Sequence, residues 1–220
     1  MARPILTPNE INNIKIKLID AAIKIIKQNG FDSVSIKSVS SNSKINSAIV
    51  YKYFKNLDEL IIYAYVDKFY NYYDEIAKVN FKEMDSVSTY ITTWEHFSNF
   101  SYDNKEIIDT LFFEGKEFDL NRIINDYSML YKKQNNITNE YILNMLAKNN
   151  LYERNFQVLR PILNKIYNDD EISVINKILI NNFQVELKNL IHKKVLLSKK
   201  DFVNTICYSN DFLINSLLKK

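Results

Sequence analysis

Two glycines in 220 residues constrain this chain more than any other feature of its sequence. Nucleotide sites cradled by glycine loops, such as G-x-G-x-x-G or the Walker loop, need several glycines close together, which this chain does not have. A β-sandwich or barrel, with its many tight turns, is disfavoured for the same reason. The chain is therefore expected to be all-α, and it is long enough for one or two domains with a proper core.

The lone Cys207 excludes an internal disulfide framework and has neither a second Cys nor a nearby His to form a metal site, which points to a reducing compartment. No apolar run reaches membrane-spanning length and no charged-then-apolar leader is present, so the expectation is a cytoplasmic protein without a membrane partner. His96 and His192 lie far apart, without an H-E-x-x-H pattern or a Cys/His cluster, so zinc is not expected, and neither a cofactor nor a catalytic site is assigned. Ile, Asn and Lys make up 84 of the residues against seven Ala, a skew that resembles coding from an AT-rich genome. Tyr and Phe belong to the same biased set, so aromatic content alone is weak evidence for a binding pocket.

Charge is unevenly distributed. Residues 1–56 hold nine basic residues (Arg3, Lys15, Lys17, Lys24, Lys27, Lys37, Lys44, Lys52, Lys55) against three acids, a net +6, whereas residues 57–220 hold 20 against 23, a net −3. A small basic head on a slightly acidic body is the pattern of a nucleic-acid-binding unit with a regulatory or assembly body, although a solvated lysine-rich face reads the same way.

The first helix is expected over about 8–29. Thr7 is its N-cap, Pro8 sits at N1 and Glu10 at N3 closes a capping box. Ile11, Ile14, Leu18, Ala21, Ala22, Ile25 and Ile26 keep helical spacing, and Gly30 supplies a left-handed stop. Ser35 caps a short second helix and Asn46 a third, with Val39, Ile45, Val50 and Phe54 spaced to form a small core. Two short helices joined by a tight turn on a longer one make a helix-turn-helix. From Leu57 the pattern stays helical, with segments near about 57–79, 86–101, 104–114, 119–134, 137–148, 153–167, 170–194 and 199–218. Ser86, Asp103 with Glu106, Asp119 and the Asp169-Asp170-Glu171 run mark several of their starts. No repeat or linker is evident, so one bundle is expected for the body, with Gly115 breaking it between two helices.

The stretch FDSVSIKSVSSNSKINSAIVYKYFKNLDEL, Phe31 to Leu60, resembles the N-terminal signature of the tetracycline-repressor (TetR) family of bacterial transcription regulators. The likeness rests on the aromatic after the helix-1 glycine, Ser35-Ile36-Lys37, Tyr51-Lys52-Tyr53-Phe54 and Asp58-Glu59-Leu60, and covers roughly residues 10–62. Where this family usually holds Gly in the turn this chain has Lys44, and where it often carries Lys at the start of helix 4 this chain has Leu57, with Lys55 two residues earlier.

The resemblance implies a helix-turn-helix DNA-binding domain over 1–56 and an effector-binding and dimerisation domain over 57–220. It implies a homodimeric regulator, most often a repressor, that releases palindromic operator DNA when a small, largely apolar effector binds. The alternative is a TetR-like regulator, an activator included, whose body takes a protein or peptide. Carried over residue by residue, Lys37, Ser47, Ala48, Tyr51 and Lys52 become candidate base readers, and Ser35, Tyr53 and Lys55 phosphate contacts. Packing between helices is the other reading of Tyr51 and Tyr53, and a solvated face that of Lys37 and Lys52. The resemblance also brings Trp94, Phe97, Phe100, Phe112, Phe113, Tyr127, Tyr131, Tyr141 and Phe156 to an effector pocket, each being equally an ordinary core aromatic. The dimer surface is expected on the last two helices, along Ile172, Ile175, Leu179, Val185 and Leu190, and along Phe202, Ile206, Leu213 and Leu217.

Overall fold

Thr7 and Glu10 satisfy each other at the start of the first helix: the Thr7 N–H donates to Glu10 Oε2 at 2.8 Å and the Glu10 N–H donates to Thr7 Oγ1 at 3.3 Å. That backbone hydrogen bond, before the hydroxyl one, holds the Glu10 carboxyl below its ordinary range. The computed structural model describes residues 6–134, 137, 139–194 and 196–219, so Arg3 lies outside the described residues. Among them it is all-helical: α1 (Pro8–Asn29), α2 (Ile36–Ser43), α3 (Ser47–Tyr53), α4 (Leu57–Ala77), α5 (Ser86–Asp103), α6 (Lys105–Phe112), α7 (Leu120–Tyr131), α8 (Glu140–Leu146), α9 (Leu151–Leu163), α10 (Asp169–Ile191) and α11 (Lys199–Leu218).

Caps account for several boundaries and revise others. Gly30 ends α1 at φ 86°, ψ 173°, a positive φ that favours glycine but not the left-handed helical stop expected. Asp85, not Ser86, caps α5, accepting from the Val87 and Ser88 N–H groups, because the carboxylate is placed one residue earlier to reach both donors. The start of α6 has no side-chain cap, so the pair Asp103 and Glu106 does not act as one. Asn168 and Glu171 form a capping box on α10.

The chain divides into two compact units, Met1–Phe69 with Arg122–Gln134 and Tyr70–Asn121 with Asn135–Lys220. In the first, Leu18, Ile19, Ala22 and Ile25 of α1 are buried with Val39, Val50 and Phe54, while Ile45 is half-buried. Phe54 meets the Tyr63 ring edge-on at 5.3 Å. Burying an aromatic of this size stabilises by roughly 2–3 kcal/mol. Part of α7 belongs to this unit because polar contacts tie it to α1 and α4. Lys15 pairs with Asp126 at 3.5 Å, Tyr63 Oη donates to Asp126 Oδ2 at 2.8 Å, and Tyr131 Oη donates to Asp20 Oδ1 at 2.8 Å. Arg122 pairs with the buried Glu59, and Lys133 with Asp67.

In the second unit α5 lies along α11 and against α9, and α10 packs on α9 and α6. Phe183 of α10 is at the centre, 5.2 Å from the Trp94 ring, 5.4 Å from Phe97 and 6.3 Å from Phe202. The apolar stripes assigned above to a dimer surface are largely consumed in this core: Ile172, Ile175, Leu179, Phe202 and Ile206 are buried, and of those named only Val185 is exposed. A helix packed on two neighbours needs those positions for its own unit. The apolar residues that remain exposed are Val174, Ile178 and Val185 of α10 and Tyr208 and Phe212 of α11.

Candidate nucleic-acid interface and effector cavity

The turn between α2 and α3 is built by capping at both sides. Ser35 caps α2, its Oγ accepting from the Ser38 N–H at 3.0 Å while the Ser35 N–H donates to Ser38 Oγ at 2.9 Å. Lys44 follows α2 at φ 57°, ψ 31°, in the left-handed region that glycine adopts without a Cβ penalty. Asn46 then caps α3, its Oδ1 accepting from the Ala48 N–H at 2.9 Å.

With Val50 and Phe54 turned into the core, the opposite stripe of α3 carries Ser47, Ala48, Tyr51 and Lys52, all exposed, Tyr51 at 61%. Lys37 of α2 and Lys55 just beyond α3 are exposed as well, and so is Ser35. Neither Lys37 nor Lys44, Lys52 or Lys55 forms an ion pair among the described residues, whereas Lys15, on α1, is paired with Asp126. Unpaired lysines beside small exposed side chains at the start of a short helix form a surface that can donate to phosphates and base edges. Tyr53 differs from its expected role. Its hydroxyl is buried without a hydrogen-bond partner among the described residues, and Lys52 Nζ lies 5.5 Å from the ring centroid, so the ring packs instead of offering its oxygen to a phosphate.

The nine aromatics separate. Trp94 and Phe97 line an inner cavity of about 30 Å³ with Tyr72, Met145, Leu151 and Val158, into which Thr93, Arg154 and Asn155 bring polar groups. Tyr141 lines a neighbouring cleft of about 250 Å³ with Phe81, Met84 and Pro161, and Val158 lines both. Phe100 stacks on Tyr72 at 5.0 Å, Phe112 meets Phe97 at 6.3 Å, and Phe113 packs on Phe183 at 6.1 Å. Phe156 is half-buried and lines neither space. Tyr127 and Tyr131 lie elsewhere: they stack on each other at 4.2 Å within the first compact unit, because α7 is bound there through Arg122 and Asp126.

From the cavity wall, Trp94 and Asn155 start a polar chain that the sequence reading missed. Trp94 Nε1 donates to Asn155 Oδ1 at 2.9 Å, and Asn155 Nδ2 donates to Asn176 Oδ1 at 2.8 Å. The available signal was the register of α9, where Arg154 and Asn155 fall on the apolar stripe of Leu151, Val158 and Ile162. Burial pushes the hydroxyls of Tyr72, Tyr90 and Tyr141 upward, so all three stay protonated at neutral pH.

Residues 18–64 match the family model described as bacterial regulatory proteins, tetR family. No curated protein matches the chain. Among solved structures it is similar to the transcriptional regulator FadR from Bacillus subtilis, solved in complex with stearoyl-CoA, at 14% identity and a TM-score of 0.49, over 92% of this chain and 98% of that one. It is also similar to the fatty acid degradation regulator FadR from Bacillus halodurans, at 14% identity and a TM-score of 0.48, over 94% of this chain and 96% of that one. No helix among the described residues is long and apolar enough to cross a membrane. Residues 18–64 of this chain are therefore similar to the tetR family of bacterial regulatory proteins.

Proposed function

We propose that this chain is a cytoplasmic, homodimeric, one-component bacterial transcription repressor whose residues 1–56 bind a palindromic operator and whose remaining residues, 57–220, bind a small, largely apolar effector and form the dimer. The observation that carries the DNA-binding part is the exposed stripe of Ser47, Ala48, Tyr51 and Lys52 on a capped helix, flanked by Lys37 and Lys55, with none of these lysine ammonium groups in an ion pair among the described residues. Lys37, Ser47, Ala48, Tyr51 and Lys52 read bases, and Ser35 and Lys55 grip phosphates.

A seven-residue recognition helix reads too little sequence alone. Two copies about one turn of B-DNA apart, roughly 34–36 Å, read a palindrome. The exposed Val174, Ile178, Val185, Tyr208 and Phe212 on the last two helices supply an apolar surface for such a pairing. An effector releases the operator only through a difference in its affinity for the DNA-fitting and non-fitting states. The cavity beside Trp94 and the adjoining cleft are the spaces that suit it. The test is a gel shift on the DNA upstream of the chain's own gene over a salt series: binding that falls steeply with salt supports the reading, and absence of binding to any double-stranded DNA refutes it.

A further inference from the structure

The wall of the inner cavity holds a buried cation without a counter-charge. Arg154 of α9 is 5% exposed. Its Nε donates to the Lys148 carbonyl at 2.7 Å, its Nη2 to the Leu146 carbonyl at 3.2 Å, and its Cζ lies 5.6 Å from the Phe112 ring centroid. Among the described residues no carboxylate pairs with it. Its field is felt nearby: burial pushes the hydroxyls of Tyr72 and Tyr73 upward, and the Arg154 charge, joined at Tyr73 by a side-chain hydrogen bond, opposes that rise in both.

A charge removed from water is costly unless it is paired. Two carbonyls at the end of α8 need only hydrogen-bond donors, which a neutral amide supplies. A guanidinium goes beyond that need, since it offers five donors in a planar fork that matches a carboxylate. The space it borders is otherwise apolar, faced by Trp94, Phe97, Met145, Leu151 and Val158. At about 30 Å³ it has room for a small head group and little more. The larger cleft begins on the other side of Val158. The hydroxyl of Tyr141 in that cleft, and that of the buried Tyr90, have no hydrogen-bond partner among the described residues.

We propose that the molecule this unit binds is an amphipathic carboxylate, its anionic end seated against Arg154 in the inner cavity and its apolar body running past Val158 into the outer cleft. This rests on the reading of residues 57–220 as an effector-binding body, and it adds the charge of the effector and the side chain that recognises it.

Trp94 is the only tryptophan of the chain and forms the cavity wall, so its emission reports occupancy. The full-length protein is titrated with octanoate and 4-phenylbutyrate and with the amide of each. Each acid is expected to bind about ten- to a hundredfold more tightly than its own amide. Arg154→Gln is expected to abolish that preference, and Arg154→Lys to keep part of it. Equal affinity of acid and amide for the unmodified protein, or no change in emission with any of the four compounds, overturns the proposal. Should Arg154→Gln fail to fold, the acid-to-amide ratio of the unmodified protein decides alone. DNA binding is measured in parallel on the same preparation. Operator binding without acid preference rejects the carboxylate and keeps the regulator, whereas acid preference without DNA binding does the reverse.

Discussion

Glu59 of α4, its side chain 7% exposed, is held by the guanidinium of Arg122 on α7. The same carboxylate accepts the Lys55 N–H through Oε2, and the Glu59 N–H donates to Asn56 Oδ1 at 2.8 Å, so one buried acid organises the junction after α3. Removing Arg122 leaves that acid buried with the backbone N–H of Lys55 as its remaining donor among the described residues. Arg122→Met is expected to destabilise the fold by about 2–3 kcal/mol, less than a fully buried pair because Arg122 is about half exposed. The double variant Arg122→Met, Glu59→Gln is expected to regain part of the loss. Urea denaturation of the three proteins checks this, and an Arg122→Met midpoint equal to that of the unmodified chain rejects it.

Lys44 occupies a left-handed conformation at the helix-turn-helix turn with φ 57°. Replacing it by glycine removes the Cβ penalty, so Lys44→Gly is expected to raise stability by about 1 kcal/mol, and Lys44→Val to lower it. Thermal melts followed by circular dichroism give the order of the three midpoints. Stabilisation by Val would show that the conformation is not retained.

Burial first, and Glu95 second, push the Cys207 thiol up to about 11. At pH 8 it is expected to hold about a hundredfold less thiolate than an ordinary cysteine and to react correspondingly slowly with iodoacetamide. The folded state prefers the neutral thiol, so its contribution to stability is complete below about 9 and is lost as pH rises toward 11. Alkylation rates between pH 7 and 10 measure this, and a rate that saturates near pH 9 contradicts it.

Phe212 is 75% exposed on α11, near Tyr208 at 74%. If this surface joins two copies, Phe212→Glu converts a dimer to a monomer with little effect on the fold of either copy. Sedimentation velocity of the two proteins, with circular dichroism as the control for folding, decides it.

The N-terminal architecture was legible because its signals are local. Thr7 with Glu10, Ser35 and Asn46 are caps whose side chains act within three residues, and all three bound helices where the sequence placed them. The burial of Val39, Val50 and Phe54 followed from spacing alone. Tyr127 and Tyr131 were not legible, because their placement depends on Arg122 and Asp126 meeting residues some sixty to more than a hundred positions away in sequence. The polar lining of the cavity was hidden by the opposite problem. Arg154 and Asn155 sit at apolar register positions, and only the packed structure shows that Trp94 and the end of α8 satisfy them. The burial of much of the apolar stripe on the last two helices was not legible, because an internal helix and an interface helix carry the same periodicity and only packing against α5 and α9 shows which positions the unit's own core uses.

The most direct test of the account is the affinity of the full-length protein for a duplex from its own upstream region, measured by fluorescence anisotropy from low to physiological salt, beside Lys52→Ala. The account predicts tight binding to the unmodified protein that weakens steeply with salt. It also predicts a loss of about 1–3 kcal/mol on Lys52→Ala, with reduced discrimination at a single base position of each half-site. Binding to no double-stranded DNA, or Lys52→Ala indistinguishable from the unmodified protein at every salt concentration, would contradict it.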